Sequence, residues 1–505
     1  MKNKLYLLNF GLAAMSLLTT GCETGNDGNQ TMEEAYTQSG NYQPYDSDLQ
    51  MGGNKFGEFA DNPFVDVALQ PVSTFSVDAD GASYAIVRRC LKSGYKVEPA
   101  SVRIEEMLNY FTFDYASPTD GHSVAINAEV GDCPWNGEHK LLRLGIKGKE
   151  LKAGETPRAN FVFLVDVSGS MDSSDKLVLL KSGLKEMVGK MSPDDRISLI
   201  TYSGEVKKLL ESTPVREAAT IIKAIDQLQA GGYTNGGEAL KMAYEEAMAN
   251  YDAKANNRII LGTDGDFNFG VTGTEALTEM VEGYAKKGIY LTCLGFGYGN
   301  LNDEMMESIS NHGNGTYHYI DSEDEMMKVF VHERERFVSV ANDAKCQVTF
   351  NPDVVSQYRL IGYENRVMEQ KDFDDDTKDA GEIGAGQTIT ALYEFVLSDG
   401  AKASGAGEKT FATFDFRYKE ALNGESRPLQ KSLTVGDILT KQGRSDSFYF
   451  AAGVAASGMV MRHSQYKGDA TISMARQLME KHLGSDPHGY KKSFVELLDL
   501  AKDLH

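Results

Sequence analysis

The stretch Phe161-Val-Phe-Leu-Val-Asp166-Val-Ser168-Gly-Ser170 decides how this chain is read. An apolar run ends in a carboxylate, followed at the second and fourth positions by hydroxyls. Three such side chains can turn toward one point where a strand leaves its sheet. Oxygen donors of this kind suit Mg²⁺, Mn²⁺ or Ca²⁺ rather than metals that prefer thiolate or imidazole. Neutral hydroxyls leave a bound cation short of negative charge, and so receptive to a carboxylate from outside.

Outward from this stretch, strand and helix alternate. Leu177, Leu180, Leu184, Met187, Val188 and Met191 recur at helical spacing, with Ser173, Ser174 and Asp175 as cap candidates before them. Residues 196–201, 258–262 and 289–294 read as buried strands, and residues 218–228, 238–249 and 275–286 as helices. This alternation predicts a parallel sheet covered on both faces, with ligands bound at the carboxyl ends of its strands. Two further segments fall at that edge. Gly231-Gly-Tyr-Thr234-Asn-Gly-Gly237 precedes a helix, and its glycines allow close backbone approach; Thr263-Asp264-Gly265 follows a strand directly.

The set Asp166-x-Ser168-x-Ser170, Thr234 and Asp264 closely resembles the metal-ion-dependent adhesion site of von Willebrand factor A domains. The resemblance implies that these five residues are metal ligands, Asp264 often through water. The ion it implies is Mg²⁺, or Mn²⁺ or Ca²⁺, and the partner is a protein offering Glu or Asp. The flanks extend the likeness. Ser73-Thr-Phe-Ser-Val-Asp78-Ala-Asp80 with residues 102–111, and residues 358–365 with 379–394, resemble the regions around the A domain in bacterial YfbK-type lipoproteins. The resemblance covers the chain from about Phe64 onward.

The N-terminus has Lys2, Lys4 and an apolar run over 5–18, of signal-peptide length. It ends Leu18-Thr-Thr-Gly21-Cys22, which resembles a bacterial lipobox, with Thr19 where Leu is usual. Cys22 is then the lipidation site and acyl chains form the anchor. Asp is absent after Cys22, which by analogy favours the outer membrane. The periplasmic or surface face is left open.

With 51 basic against 73 acidic residues the net charge is −22, which argues against nucleic acid as partner. Cys90, Cys133, Cys293 and Cys346 form no CxxC pair; unrelated thiols are expected, with a Cys133–Cys346 bridge as the alternative. Asp78-Ala-Asp80 reads as a cap for a helix over 83–91. Asp372, Asp374 to Asp376 and Asp379 read as a solvated hairpin tip, since the glycine of a calcium loop is missing. His312, His318 and His332 are too irregularly spaced for a ligand set.

The expected fold is multidomain, α/β plus β. A doubly wound parallel-sheet A domain is inserted in a β-sandwich, with helical N-terminal and C-terminal elements. Strands over 122–130 and 139–146 are too few to stand alone, so they should pair with those over 345–350, 387–397, 410–418 and 429–435. The boundaries read as signal 1–21, flexible tether 22–62, N-terminal helical and β region 63–150, A domain 155–340, β-rich domain 341–440 and C-terminal helices 441–505. Those helices should pack with the one over 102–111. The expected function is non-enzymatic binding of a protein partner. A Mg²⁺-dependent hydrolase and a structural envelope protein with a stabilising metal are the alternatives. Against hydrolysis, the motif loops show no nearby His, Lys or Glu suited to acid–base work.

Overall fold

A computed structural model describes residues 53–501 apart from 153, 234–235, 266–273, 400–406 and 441–442. The signal segment, Cys22, most of the tether and Thr234 lie outside the described residues; the tether expected over 22–62 ends earlier than that, since Lys55 N donates to Leu301 O at 2.8 Å, Asn62 Nδ2 to Gly362 O at 2.8 Å, and Asp61 pairs with Arg462.

The run 161–165 forms the strand Ala159–Asp166 in the middle of a six-stranded sheet. From one edge the order is Tyr317–Ile320, Ile289–Phe296, Asn256–Thr263, Ala159–Asp166, Arg196–Tyr202 and Val206–Pro214, parallel except for the last pair. Side chains alternate across a strand. Phe161, Phe163 and Val165 accordingly enter one core, with Leu180, Leu184 and Ile225 from the helices Leu179–Lys190 and Ala218–Asp226. Val162 and Leu164 enter the other, with Leu240, Tyr244 and Ile309 from the helices Gly237–Ala249 and Asp303–His312. Burial on both faces is why the run is continuously apolar. The chain steps from Ala159–Asp166 to Arg196–Tyr202 on one side, then crosses to Asn256–Thr263 on the other. The crevice between the first and third of these strands is therefore the topological switch point.

The A domain is an insertion. Lys140–Gly148, before it, pairs antiparallel with Thr388–Leu397, after it; Val72–Ser76 pairs likewise with Ser339–Phe350. The two resulting sheets face each other, with Phe350 against Tyr393 at 5.5 Å and Phe395 stacked on Phe411 at 5.3 Å between ring centres. The departure and return points touch, since a Cβ on Gly148 would lie 3.1 Å from Val340 Cγ2. The helices Asp446–Met461, Ile472–Lys481 and Tyr490–Ala501 cover a shared core with Ile104–Asn109, as expected. Gly458 lets the first of them approach Ile104 closely.

The structure corrects the reading in several places. The helix after Asp80 spans Ala82–Lys92 with Gly81 at its N-cap and no side-chain cap, so Asp78 and Asp80 do not cap it. Their oxygens bond elsewhere: Asp80 N donates to Asp78 Oδ1 at 2.9 Å, and Tyr317 N to Asp80 Oδ1 at 2.7 Å. The edge strand Val206–Pro214 was not anticipated, because its exposed Lys207, Lys208 and Glu211 break any apolar pattern. The helix Asp303–His312 was missed too, because Asp303 and Glu307 are buried where acids are expected outside. The last A-domain helix, read as 324–337, begins as Glu323–Met327 and then continues in irregular turns. All four described cysteines are free and buried, so Cys133 and Cys346 do not pair. Asp374 and Asp376 are exposed and pair with Arg417. Among the described residues, no helix is long and apolar enough to cross a membrane.

Candidate metal centre

Asp166 ends its strand fully buried, at the switch-point crevice. Its carboxylate is held from two sides: Ser168 N donates to Oδ1 at 2.8 Å and Thr263 Oγ1 to Oδ2 at 3.0 Å. The turn after the strand brings the Ser168 and Ser170 hydroxyls to 3.0 Å from one another. Asp264, directly after the neighbouring strand, is also buried and hydrogen-bonds Ser170. Four of the five expected ligands thus meet at one strand edge. The fifth, Thr234, lies outside the described residues, but its loop arrives at the same place. Gly231 N donates to Val167 O at 2.8 Å and Gly169 N to Gly232 O at 3.1 Å. Gly232 has φ +86°, a left-handed conformation that favours glycine.

The electrostatics of the two carboxylates differ. Burial pushes the Asp166 carboxyl up to about 6, with the bonds from Ser168 and Thr263 opposing it and the Asp264 charge adding to it. Burial raises Asp264 as well, but the bond and charge of Lys176, with the bonds to Asn300 and Ser170, together hold it below its ordinary value. Lys176 Nζ sits 2.9 Å from Asp264 Oδ2 and 2.9 Å from Ser170 O. The motif spacing does not mark this lysine. Lys176 stands six positions beyond Ser170 in sequence and folds back from the turn Ser174–Val178. Gly297, at φ +70°, leaves room for it, since a Cβ there would overlap Lys176 Cε. From there its ammonium donates to Ser170 O and to the Asp264 carboxylate. Thr263 also belongs to the centre through its bond to Asp166, and its place one residue before Asp264 is the sequence signal for it.

Carboxylates and hydroxyls with no sulfur or imidazole fit a hard divalent cation. Hydrogen bonds from Ser168 and Thr263 fix the Asp166 carboxylate at the point where a metal would meet it. The Lys176 ammonium supplies one positive charge to this cluster in advance, which any bound cation must share. The rim is exposed: Ser170 and Gly231 face solvent, and Tyr233 is 89% exposed.

Three families match consecutive parts of the chain: "von Willebrand factor" over residues 50–143, "von Willebrand factor type A domain" over 160–332 and "Uncharacterized protein YfbK, C-terminal" over 335–504. The uncharacterized protein YfbK of Escherichia coli (strain K12) is 38% identical over 472 residues, 89% of this chain and 81% of that one. Inter alpha-trypsin inhibitor, heavy chain 4, of Mus musculus is 30% identical over 206 residues, covering 39% of this chain and 21% of its own. Among solved structures, the von Willebrand factor type A protein of Catenulispora acidiphila aligns over 75% of this chain and 90% of its own, with 15% identity and a TM-score of 0.45. The identity to YfbK along most of both chains, with an A domain set between matching flanks, makes this chain a member of the YfbK family of von Willebrand factor type A domain proteins.

Proposed function

We propose that the A domain is a cation-dependent docking module for a protein partner. The observation that carries this reading is the convergence of Asp166, Ser168, Ser170 and Asp264 at one strand edge, beneath an exposed rim. Domains of this type often bind a divalent metal and commonly mediate protein–protein interaction, which supports the same reading. Asp166, Ser168, Ser170, Thr234 and Asp264 would hold Mg²⁺, Mn²⁺ or Ca²⁺. Bound there, the cation supplies a Lewis-acidic position to which a partner's Glu or Asp can attach. This chain's own residues do the rest. Ser168 N and Thr263 orient the Asp166 carboxylate, and Lys176 offsets the Asp264 charge when no cation is present. Tyr233 at the rim gives a partner an aromatic contact surface.

The module does no chemistry of its own in this reading. Cys22 carries the lipid and the segment after it forms a tether that ends before Asn54, whose side chain accepts from Gly299 N and Leu301 N, so docking occurs at the outer membrane of a bacterial envelope. Crosslinking in intact cells, with mass spectrometry, tests the proposal. A partner lost both on chelation by EDTA and in Asp166→Ala supports it. A partner captured equally in all three conditions refutes it.

A further inference from the structure

Gly53, Asn54 and Lys55 seat against the loop 297–302, which links the strand Ile289–Phe296 to the helix Asp303–His312. Asn54 Oδ1 accepts from Gly299 N at 2.9 Å and from Leu301 N at 3.0 Å. Lys55 N donates to Leu301 O at 2.8 Å, and Lys55 O accepts from Asp303 N at 3.0 Å. Backbone groups in a loop outside the sheet need such partners, and this short segment supplies them. The fit is close, since a Cβ on Gly53 would lie 1.8 Å from Gly299 O.

The same loop reaches the strand-edge centre. A Cβ on Gly265, the residue after Asp264, would lie 2.5 Å from Asn302 N and 2.8 Å from Leu301 Cα, so the loop and the Asp264 turn are in contact. Asn300 stands between the two residues that Asn54 holds, and it hydrogen-bonds the Asp264 carboxylate that Lys176 also holds. The contacts are therefore contiguous, from Asn54 to residues 299 and 301, and from Asn300 to Asp264. A group that orients a metal ligand commonly governs metal affinity by about 10–100-fold.

We propose that residues 53–55 are a strap that sets the affinity of the strand-edge cation centre, with Asn54 as a positioning residue acting through Asn300 and Asp264. The inference rests on the reading of that centre as a cation site. With the strap seated, Asn300 is held against Asp264 and the carboxylate meets a cation already oriented. With the strap lifted, Gly299 and Leu301 lose their partners and Asp264 is left to Ser170 and Lys176. Coupling between two sites is reciprocal, so a bound cation in turn holds the strap down. Residues 53–55 directly follow the proposed tether, so the docking site and the attached end of the chain are coupled through one loop.

The test titrates the full chain with Mn²⁺ while free Mn²⁺ is followed by electron paramagnetic resonance, with Asp166→Ala as the baseline. Asn54→Ala and Gly53→Ala should each weaken the Asp166-dependent binding at least about fivefold, and Asn54→Asp, which keeps the accepting oxygen, should restore it. Saturating Mn²⁺ should also slow hydrogen exchange at the Lys55 amide in wild type and not in Asp166→Ala, a change that a merely structural segment would not show. Circular dichroism of each variant checks that it is folded. Wild type that binds no more Mn²⁺ than Asp166→Ala would overturn the reading of the centre, and the strap with it. Folded Asn54→Ala and Gly53→Ala chains that bind as tightly as wild type would leave the centre standing and overturn the strap alone.

Discussion

Replacing Lys176 by Met keeps the length of the side chain and removes its charge, so it isolates what that ammonium does at the strand-edge centre. The pair it forms with Asp264 is short, 2.9 Å, with side chains 13% and 0% exposed. Breaking a buried pair by deleting one partner costs about 3–5 kcal/mol, because the other charge is left behind. Asp264 keeps its bonds to Asn300 and Ser170, which places the loss near the lower end, about 3 kcal/mol. A divalent cation neutralises the same carboxylate. It should therefore restore most of the loss, and the variant should bind the cation at least about tenfold more tightly than wild type. Urea unfolding in EDTA and in saturating Mg²⁺, with calorimetric titration of Mg²⁺ into each protein, measures both quantities. If Lys176→Met is equally destabilised with and without Mg²⁺, and its cation affinity is unchanged, Lys176 does not substitute for the ion.

Other perturbations follow from the same geometry. Arg88, from the helix before the insertion, bonds Asp321 Oδ2 at 2.8 Å and Glu325 Oε2 at 2.8 Å at the start of the last A-domain helix. Arg88→Met should cost about 3–5 kcal/mol in urea unfolding, and adding Asp321→Asn with Glu325→Gln should recover most of it; equal losses in the single and triple variants would contradict this. Tyr233→Ala should weaken partner capture by about 1–2 kcal/mol while Mn²⁺ affinity stays unchanged. Burial pulls the His318 imidazole down to about 3. Because the folded-state value is depressed, its contribution is present above about pH 6.5 and lost as pH falls toward 3, at ~1 kcal/mol per unit. Unfolding between pH 7 and 4 should show a shallower slope in His318→Gln than in wild type.

The parallel sheet and the meeting of Asp166, Ser168 and Ser170 at its edge were legible because each depends on local pattern, while Asp264 was reached through the family resemblance. A strand buried on both faces must be apolar throughout, and the Asp-x-Ser-x-Ser spacing fixes which oxygens converge at its end. Pairing across the insertion was also accessible, since strands over 122–130 and 139–146 needed partners. What escaped was charge placed against local rules. Lys176 lies on the helical segment after the motif, and only the tertiary turn at Gly297 gives it space to reach Asp264. Asp303 and Glu307 lie on a helix that the apolar pattern does not mark, and nothing in their neighbourhood announces Arg103 two hundred positions earlier. Asp78 and Asp80 matched a capping pattern, yet the distant Arg366 and Tyr317 take those oxygens. Long-range ion pairs have no periodicity and leave no mark in a single sequence.

The central claim is that a cation sits among Asp166, Ser168, Ser170, Thr234 and Asp264 with a position open to an acidic side chain. Crystals of the full chain grown with Mn²⁺, measured at the manganese absorption edge, test it most directly. An anomalous peak within coordination distance of Asp166, Ser168 and Ser170, missing from Asp166→Ala crystals, is the predicted result. Wild-type crystals with no peak there, and the Lys176–Asp264 pair intact, would contradict the account.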